Sequence, residues 1–206
     1  MDSENIFLAL KNIKKTIDLN KDEIEKLDQA IGDGDHIFNI QRGLNEALKL
    51  EHELSNLSPE EVFKKIGMKI MTTVGGSSGA LFATLLMGMS KKYSKESNDL
   101  ENLAAMFYEG VEATKKRGKA DIGEKTMLDV LIPVSLSLTE LKNEKNIQTV
   151  AEKIKMVAEE GMLSTKDIMA TKGRASFLGE RAIGHIDPGA RSSQLAINAI
   201  CDEYIK

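Results

Sequence analysis

The sequence predicts an all-α bundle, and three observations carry that prediction. Apolar residues recur at helical spacing along nearly the whole chain, as in Ile37, Ile40, Leu44, Ala47 and Leu48 or Leu100, Leu103, Ala104, Phe107 and Val111. No segment shows the strict two-residue alternation of a half-buried strand. The 206 residues include only three prolines and no tryptophan, with 41% hydrophobic and 29% charged positions, a composition suited to a packed helical core. Residues 1–206 are read as one domain.

Nine helices of similar length are expected. The first spans 4–17. The second, 21–31, opens at Asn20 with Glu23 three residues on, the pattern of a capping residue answered by a glutamate. The third, 36–51, carries the Ile37 to Leu48 stripe. Ser58, Pro59 and Glu61 open the fourth, 59–74, with the same capping pattern. The fifth, 79–94, holds the apolar run ALFATLLMGM, about half of the ~20 residues a membrane span needs, so it is read as a buried helix. The Leu100 to Val111 stripe defines the sixth, 99–117. The seventh, 125–142, tolerates or kinks at Pro133. The eighth spans 147–170. Pro188 and Gly189 start the ninth, 189–205, where Cys201 falls on the apolar stripe as a small core residue.

Four connections are rich in glycine, acids and small polar residues: Gly32 to His36, GGSSGA at 75–80, RGKADIGEKTMLD at 117–129 and GRASFLGERAIGHIDPGARSS at 173–193. They follow helices two, four, six and eight. In an up-and-down bundle alternate connections lie at the same end, so all four converge.

Composition narrows the function. A net charge of −4 offers no basic face for a nucleic-acid backbone. A single cysteine excludes an internal disulfide framework and a cysteine-based zinc cluster, and the start MDSENIF lacks the basic and apolar regions of a signal peptide. A cytoplasmic protein with no membrane partner is expected.

The stretch LDQAIGDGDH, residues 27–36, crowds Asp28, Asp33 and Asp35 onto a broken helix end. Three neighbouring carboxylates repel one another unless a cation sits among them, and a hard divalent cation takes oxygen ligands of this kind. Alternatively, Asp33 or Asp35 caps the next helix, which explains one acid and not three. The calcium-binding helix–loop–helix pattern fails, because position 12 counted from Asp28 is Asn39 where a glutamate is needed. GGSSGA fits either an anion cradle, with Ser77 and Ser78 presenting free donors at a helix start, or an ordinary turn. In RGKADIGEKTMLD the Gly118 to Gly123 spacing is a near miss to an NTPase phosphate loop, but Glu124 precedes Lys125 and no strand leads in. Lys125 reads as a solvated first-turn residue and Met127 as core. In the last connection Phe177, Leu178 and Ile183 are expected to tack the loop down. Arg174 and Arg181 there either meet phosphate or pair with Glu180 or Asp187, and Asp187 can accept from a base or ribose.

Together GDGDH, GGSSGALF, GEKTMLDVLIP and GRASFLGERAIGHIDPGA resemble, in order and from about Leu27 to the C-terminus, the nucleotide-binding L subunit of the phosphotransferase-system-dependent dihydroxyacetone kinase. The resemblance implies an antiparallel eight-helix barrel with ADP and two Mg2+ at one end. It places Asp28, Asp33 and Asp35 on the metals, and His36, Asn39, Ser77, Ser78, Gly118, Met127, Arg174, Asp187 and Gly189 on the nucleotide. It further implies that ADP stays bound as a cofactor, that a phosphohistidine carrier, the M subunit, converts it to ATP, and that the phosphoryl group passes to dihydroxyacetone on a separate K subunit. Self-association as a homodimer is left open.

One departure stands out: the family has glycine after the histidine and methionine after the asparagine, whereas this chain reads His36-Ile37-Phe38-Asn39-Ile40. Ile37 is expected to crowd the phosphates, which keeps two other readings open. One is an ATP-dependent kinase domain serving another small acceptor; the other is a nucleotide-sensing regulator of a transcription factor.

Overall fold

The computed structural model describes residues 1–205. The helices are α1 Ser3–Leu19, α2 Lys21–Ile31, α3 His36–Leu48, the single turn α4 Glu51–Leu54, α5 Pro59–Thr73, α6 Gly76–Met89, α7 Asp99–Gly118, α8 Leu128–Leu141, α9 Ile147–Ser164 and α10 Pro188–Cys201. A 3-10 segment, Arg174–Ala182, lies between α9 and α10. No strand occurs among the described residues.

Eight helices close a ring in which α1 packs on α3, α3 on α5, and α5 to α10 each on the next, with α10 returning to α1. The barrel is therefore complete without α2, which packs on α3, α10 and the 3-10 segment. Its apolar stripe, Ile24 and Ile31, is buried like the others, so periodicity alone makes it look like a ninth ring member.

Two main clusters fill the barrel. Residues of α6 to α10, among them Met106, Val130, Val134 and Ala158, form the larger one, and Cys201 joins it as expected. Phe7, Ala47, Val62 and Ile66 centre the second, between α1, α3 and α5. A smaller cluster of Ile17, Ile24, Ile37 and Leu195 ties α2 to α1, α3 and α10. Between α6 and α7 the backbones come close: a Cβ on Gly88 would lie 2.7 Å from Gly110 Cα and 3.0 Å from the Glu109 carbonyl oxygen.

Several helix ends differ from the expectation, each for a local reason. Ser58 and Glu61 form the expected capping box. Asn20 does not cap α2, because its side-chain amide donates to the Thr16 carbonyl of the helix behind it. The third helix stops at Leu48 and resumes as α4. α6 begins at Gly76, three residues early, so the GGSSGA serines are first-turn residues. α8 begins at Leu128, since Lys125 takes a left-handed backbone with φ 60° that no helix accommodates. α9 ends at Ser164, and the chain enters a long non-helical stretch there.

Among the described residues no helix is long and apolar enough to cross a membrane.

The α6–α7 approach supplies a test. Gly88→Ala forces a methyl group into the Gly110 backbone, and overpacking of this kind costs about 1–3 kcal/mol. Urea unfolding should show the lower midpoint, and an unchanged midpoint would contradict the close approach.

Candidate functional site

The acidic stretch keeps its three carboxylates together. One oxygen from each of Asp28, Asp33 and Asp35 lies within 4.8 Å of the others. Asp28, near the end of α2, is 5% exposed, and its Oδ2 accepts from the His36 amide at 3.0 Å. Gly32 makes this possible, because a Cβ there would overlap the Asp28 carboxylate. Asp35 occupies the N-cap position of α3 but makes no side-chain cap bond, so its carboxylate is not used up by the helix. Asp33 pairs with Arg174 at 2.7 Å, which brings the last connection onto the first. The capping alternative is thus filled only in position, and all three acids remain available to a cation.

Beside them stands a helix start without a cap. Gly75 precedes α6 with no side-chain bond to the first-turn amides, Ser77 is exposed and Ser78 half-buried. The Asn39 side chain is 8% exposed, yet its Nδ2 has no partner. A Cβ on Gly76, whose φ is +76°, would come within 3.0 Å of that nitrogen and 3.7 Å of Asp35 Oδ2. Buried amide donors are normally satisfied, so an orphan beside an uncapped helix start is a donor set that could hold an anion.

The third and fourth connections complete the end of the barrel. Asp129, 1% exposed, accepts from the Gly123 amide at 2.6 Å and the Thr126 amide at 2.8 Å, folding the third connection. Glu124 binds Thr171 Oγ1 at 3.0 Å and Lys172 at 3.6 Å. Asp187 caps α10 through the Ala190 amide at 2.7 Å, and a Cβ on Gly189 would lie 3.5 Å from that of Met127. Met127 is itself core, 5% exposed, and Gly118 ends α7 within 3.4 Å of Leu81 when given a Cβ. His36 Nε2 lies 3.0 Å from Ser192 Oγ, linking the first connection to α10. Burial lowers the His36 pKa against the pull of Asp28, the Pro188 backbone and Asp35. Burial likewise pushes the Asp187 carboxyl up to about 7; the Ala190 amide opposes this, Asp129 adds to it, and Lys125 opposes it.

All four connections therefore meet, as alternation required. Four expectations fail. Ile37 does not face the site: it is fully buried with Ile17, Ile24 and Leu195, on the same stripe as Ile40 and Leu44. Phe38 turns outward instead, 46% exposed beneath Lys21 Nζ. Lys125 is not solvated: it is 1% exposed with its ammonium among main-chain carbonyls. Of the three expected anchors in the last connection only Leu178 packs inward, against Ile31, Ala170, Ala175 and Ala182, while Phe177 is 86% exposed and Ile183 is exposed. Arg174 takes Asp33 as its partner rather than Glu180 or Asp187. Asp129 and Ser192 were not singled out; the acid of the GEKTMLD motif was the available signal for the first, and nothing local marked the second.

Residues 30–202 match the family model of the DAK2 domain. The chain belongs to the DAK2-domain family. Within it, the chain is 43% identical over 193 residues to the "PEP-dependent dihydroxyacetone kinase 1, ADP-binding subunit DhaL" of Listeria innocua, covering 93% of this chain and 91% of that one. To the corresponding "PTS-dependent" ADP-binding subunit of Lactococcus lactis it is 44% identical, over 89% of this chain and 88% of the other. These relatives are subunits of kinases. Among solved structures, the Citrobacter freundii dihydroxyacetone kinase in complex with AMP-PNP and Mg2+ superposes with a TM-score of 0.71 at 27% identity, covering 95% of this chain and 33% of that chain. The chain thus spans about a third of the length of that kinase, and the eight-helix barrel is the fold they share.

Two outcomes follow from the geometry. Gly32→Ala displaces the Asp28 carboxylate, so Mg2+-dependent thermal stabilisation should vanish while the far-ultraviolet spectrum stays helical; stabilisation equal to that of the unaltered protein would contradict the placement. For Asp187, the folded carboxyl titrates near 7 and the unfolded one near 3.8. Between those values the folded state holds the extra proton, so this group's contribution to stability falls as pH rises. Asp187→Asn keeps a cap acceptor and removes the titration, so its unfolding free energy should fall less between pH 4 and 7 than that of the unaltered protein. Parallel pH profiles would refute the assignment.

Proposed function

We propose that this chain is the ADP-binding subunit of a phosphoenolpyruvate-phosphotransferase-dependent dihydroxyacetone kinase. The observation that carries the reading is the pairing of a three-carboxylate cluster with an uncapped helix start and an orphaned Asn39 amide, on a chain that matches ADP-binding subunits over nearly their whole length. An acidic cluster alone repels phosphate and a helix start alone binds no metal, but the two together suit a magnesium nucleotide.

In this reading Asp28, Asp33 and Asp35 hold two Mg2+. When bound, the metals supply positive charge spread over the phosphate oxygens, which is most of what phosphoryl transfer asks of a protein. The α6 amides with Ser77 and Ser78 orient the phosphates, and Asn39 Nδ2 gains the acceptor it lacks. Arg174, paired with Asp33, would offer its guanidinium to the same oxygens. His36, its pKa lowered by burial, positions the α3 start against Ser192. Gly118, Met127 and the Asp187 to Gly189 turn form the apolar and polar walls for the base and ribose. No side chain acts as a nucleophile. A phosphohistidine carrier, the M subunit, supplies the phosphoryl group and dihydroxyacetone on a K subunit receives it, with ADP and ATP as the resident relay.

The ground for a different acceptor or a regulatory role was the crowding expected from Ile37, and its burial in the core removes that ground.

The test is native mass spectrometry of the purified protein. Bound ADP with Mg2+ is expected, and Asp33→Ala should lose both. No dihydroxyacetone phosphorylation should occur without added K and M subunits. Turnover of free ATP by the isolated chain, or full nucleotide retention by Asp33→Ala, would sink the reading.

A further inference from the structure

Lys125 sits in a position that two physical penalties should have closed to it. Its backbone is left-handed, φ 60°, where glycine is the favoured residue. Its side chain is 1% exposed, although a lysine ammonium is strongly hydrated. The surroundings account for its presence. Nζ meets the carbonyl oxygens of Thr165, of His185 at 2.5 Å, of Ile168 at 3.2 Å and of Lys166 at 3.4 Å. Four acceptors around a group with three protons resemble the carbonyl coordination of a spherical monovalent cation more than a set of paired hydrogen bonds. Burial lowers the pKa of the ammonium, while Asp187, Asp167 and Asp129 act to keep it charged.

We propose that Lys125 is a positioning residue that serves as a built-in cation: its ammonium fills a cage of four main-chain carbonyls and fixes the 165–187 segment beside the acidic cluster. The cage joins both ends of that segment. Thr165, Lys166 and Ile168 come from where the chain leaves α9, and His185 from just before α10. The Gly184 amide closes the same ring on the Lys166 carbonyl at 2.8 Å, and the Asp187 amide donates to Thr165 Oγ1 at 3.0 Å. Between these ends the chain carries Arg174 to Asp33. Without a cation, the four carbonyl dipoles converge on one another and the neck of the segment opens. The cage itself does not depend on the nucleotide reading; its consequence for Arg174 does.

Two variants separate charge from packing. Lys125→Gly relieves the left-handed backbone and empties the cage, so backbone preference alone predicts equal or greater order. The cation account predicts the reverse: in choline chloride, amide hydrogen exchange across 165–187 speeds up roughly tenfold or more, and potassium chloride at matched ionic strength restores protection by entering the vacated cage. Lys125→Met fills the space without charge, so it should lose protection that potassium does not restore. Native-like protection of Lys125→Gly in choline, failure of potassium to restore its fold or its protection, or native-like protection in Lys125→Met would each overturn the proposal. ADP retention is measured on the same samples. An unaltered protein that binds no ADP while the exchange results hold would defeat the nucleotide reading and leave the role of Lys125 standing.

Discussion

Asp28, Asp33 and Asp35 bring three like charges within 4.8 Å of one another, and the architecture at this end of the barrel is arranged around their mutual repulsion. Coulomb repulsion between carboxylates at such distances amounts to about 1 kcal/mol per pair in water and several times that near a protein surface. The chain meets it partly with its own groups. The His36 amide faces Asp28 and the Arg174 guanidinium faces Asp33, while Asp35 sits on the positive end of α3. These offsets are incomplete by design of the local backbone: the break at Gly32 and Gly34 turns the acids toward one another, whereas an unbroken helix would separate them. Under the proposed function a divalent cation completes what the protein groups leave undone.

The ring serves that end. Alternating helix directions gather the four glycine-rich and acidic connections at one end, and α2 stands outside the ring, where Asp28 near its end faces the other two acids. Tight helix contacts, such as Gly88 against Gly110, keep the barrel from splaying and so fix the spacing between α3, α6 and α10, whose starts carry the donors. Rigid helices hold the donors, and the long 165–187 segment, cinched at its neck by Lys125, supplies the arginine.

Much of this was legible in the sequence, because helical periodicity, alternating connections and clustered acids are local signals. The all-α class, the helix order and the convergence of the four connections rest on such signals alone. The failures share one physical origin, which is that a residue's neighbours along the chain do not fix which way its side chain points. Ile37 sits next to His36 and seemed bound to crowd the site, yet the helical rotation of α3 carries it onto the Ile40 and Leu44 face. Lys125 looked like a surface charge because the carbonyls that bury it come from residues 165–185, far along the chain. Asn20 had the spacing of a cap but gave its amide to Thr16. Phe177 had the composition of an anchor and points outward.

The claim on which the account turns is that the three aspartates hold divalent metal together with a nucleotide. The most direct measurement is a crystal of the protein grown with ADP and Mn2+ and examined by anomalous scattering. Manganese peaks bounded by Asp28, Asp33 and Asp35, with phosphate density reaching the α6 start at Ser77 and Ser78, are the predicted result. Nucleotide bound elsewhere, or an acidic cluster without anomalous signal at saturating Mn2+ and ADP, would contradict it.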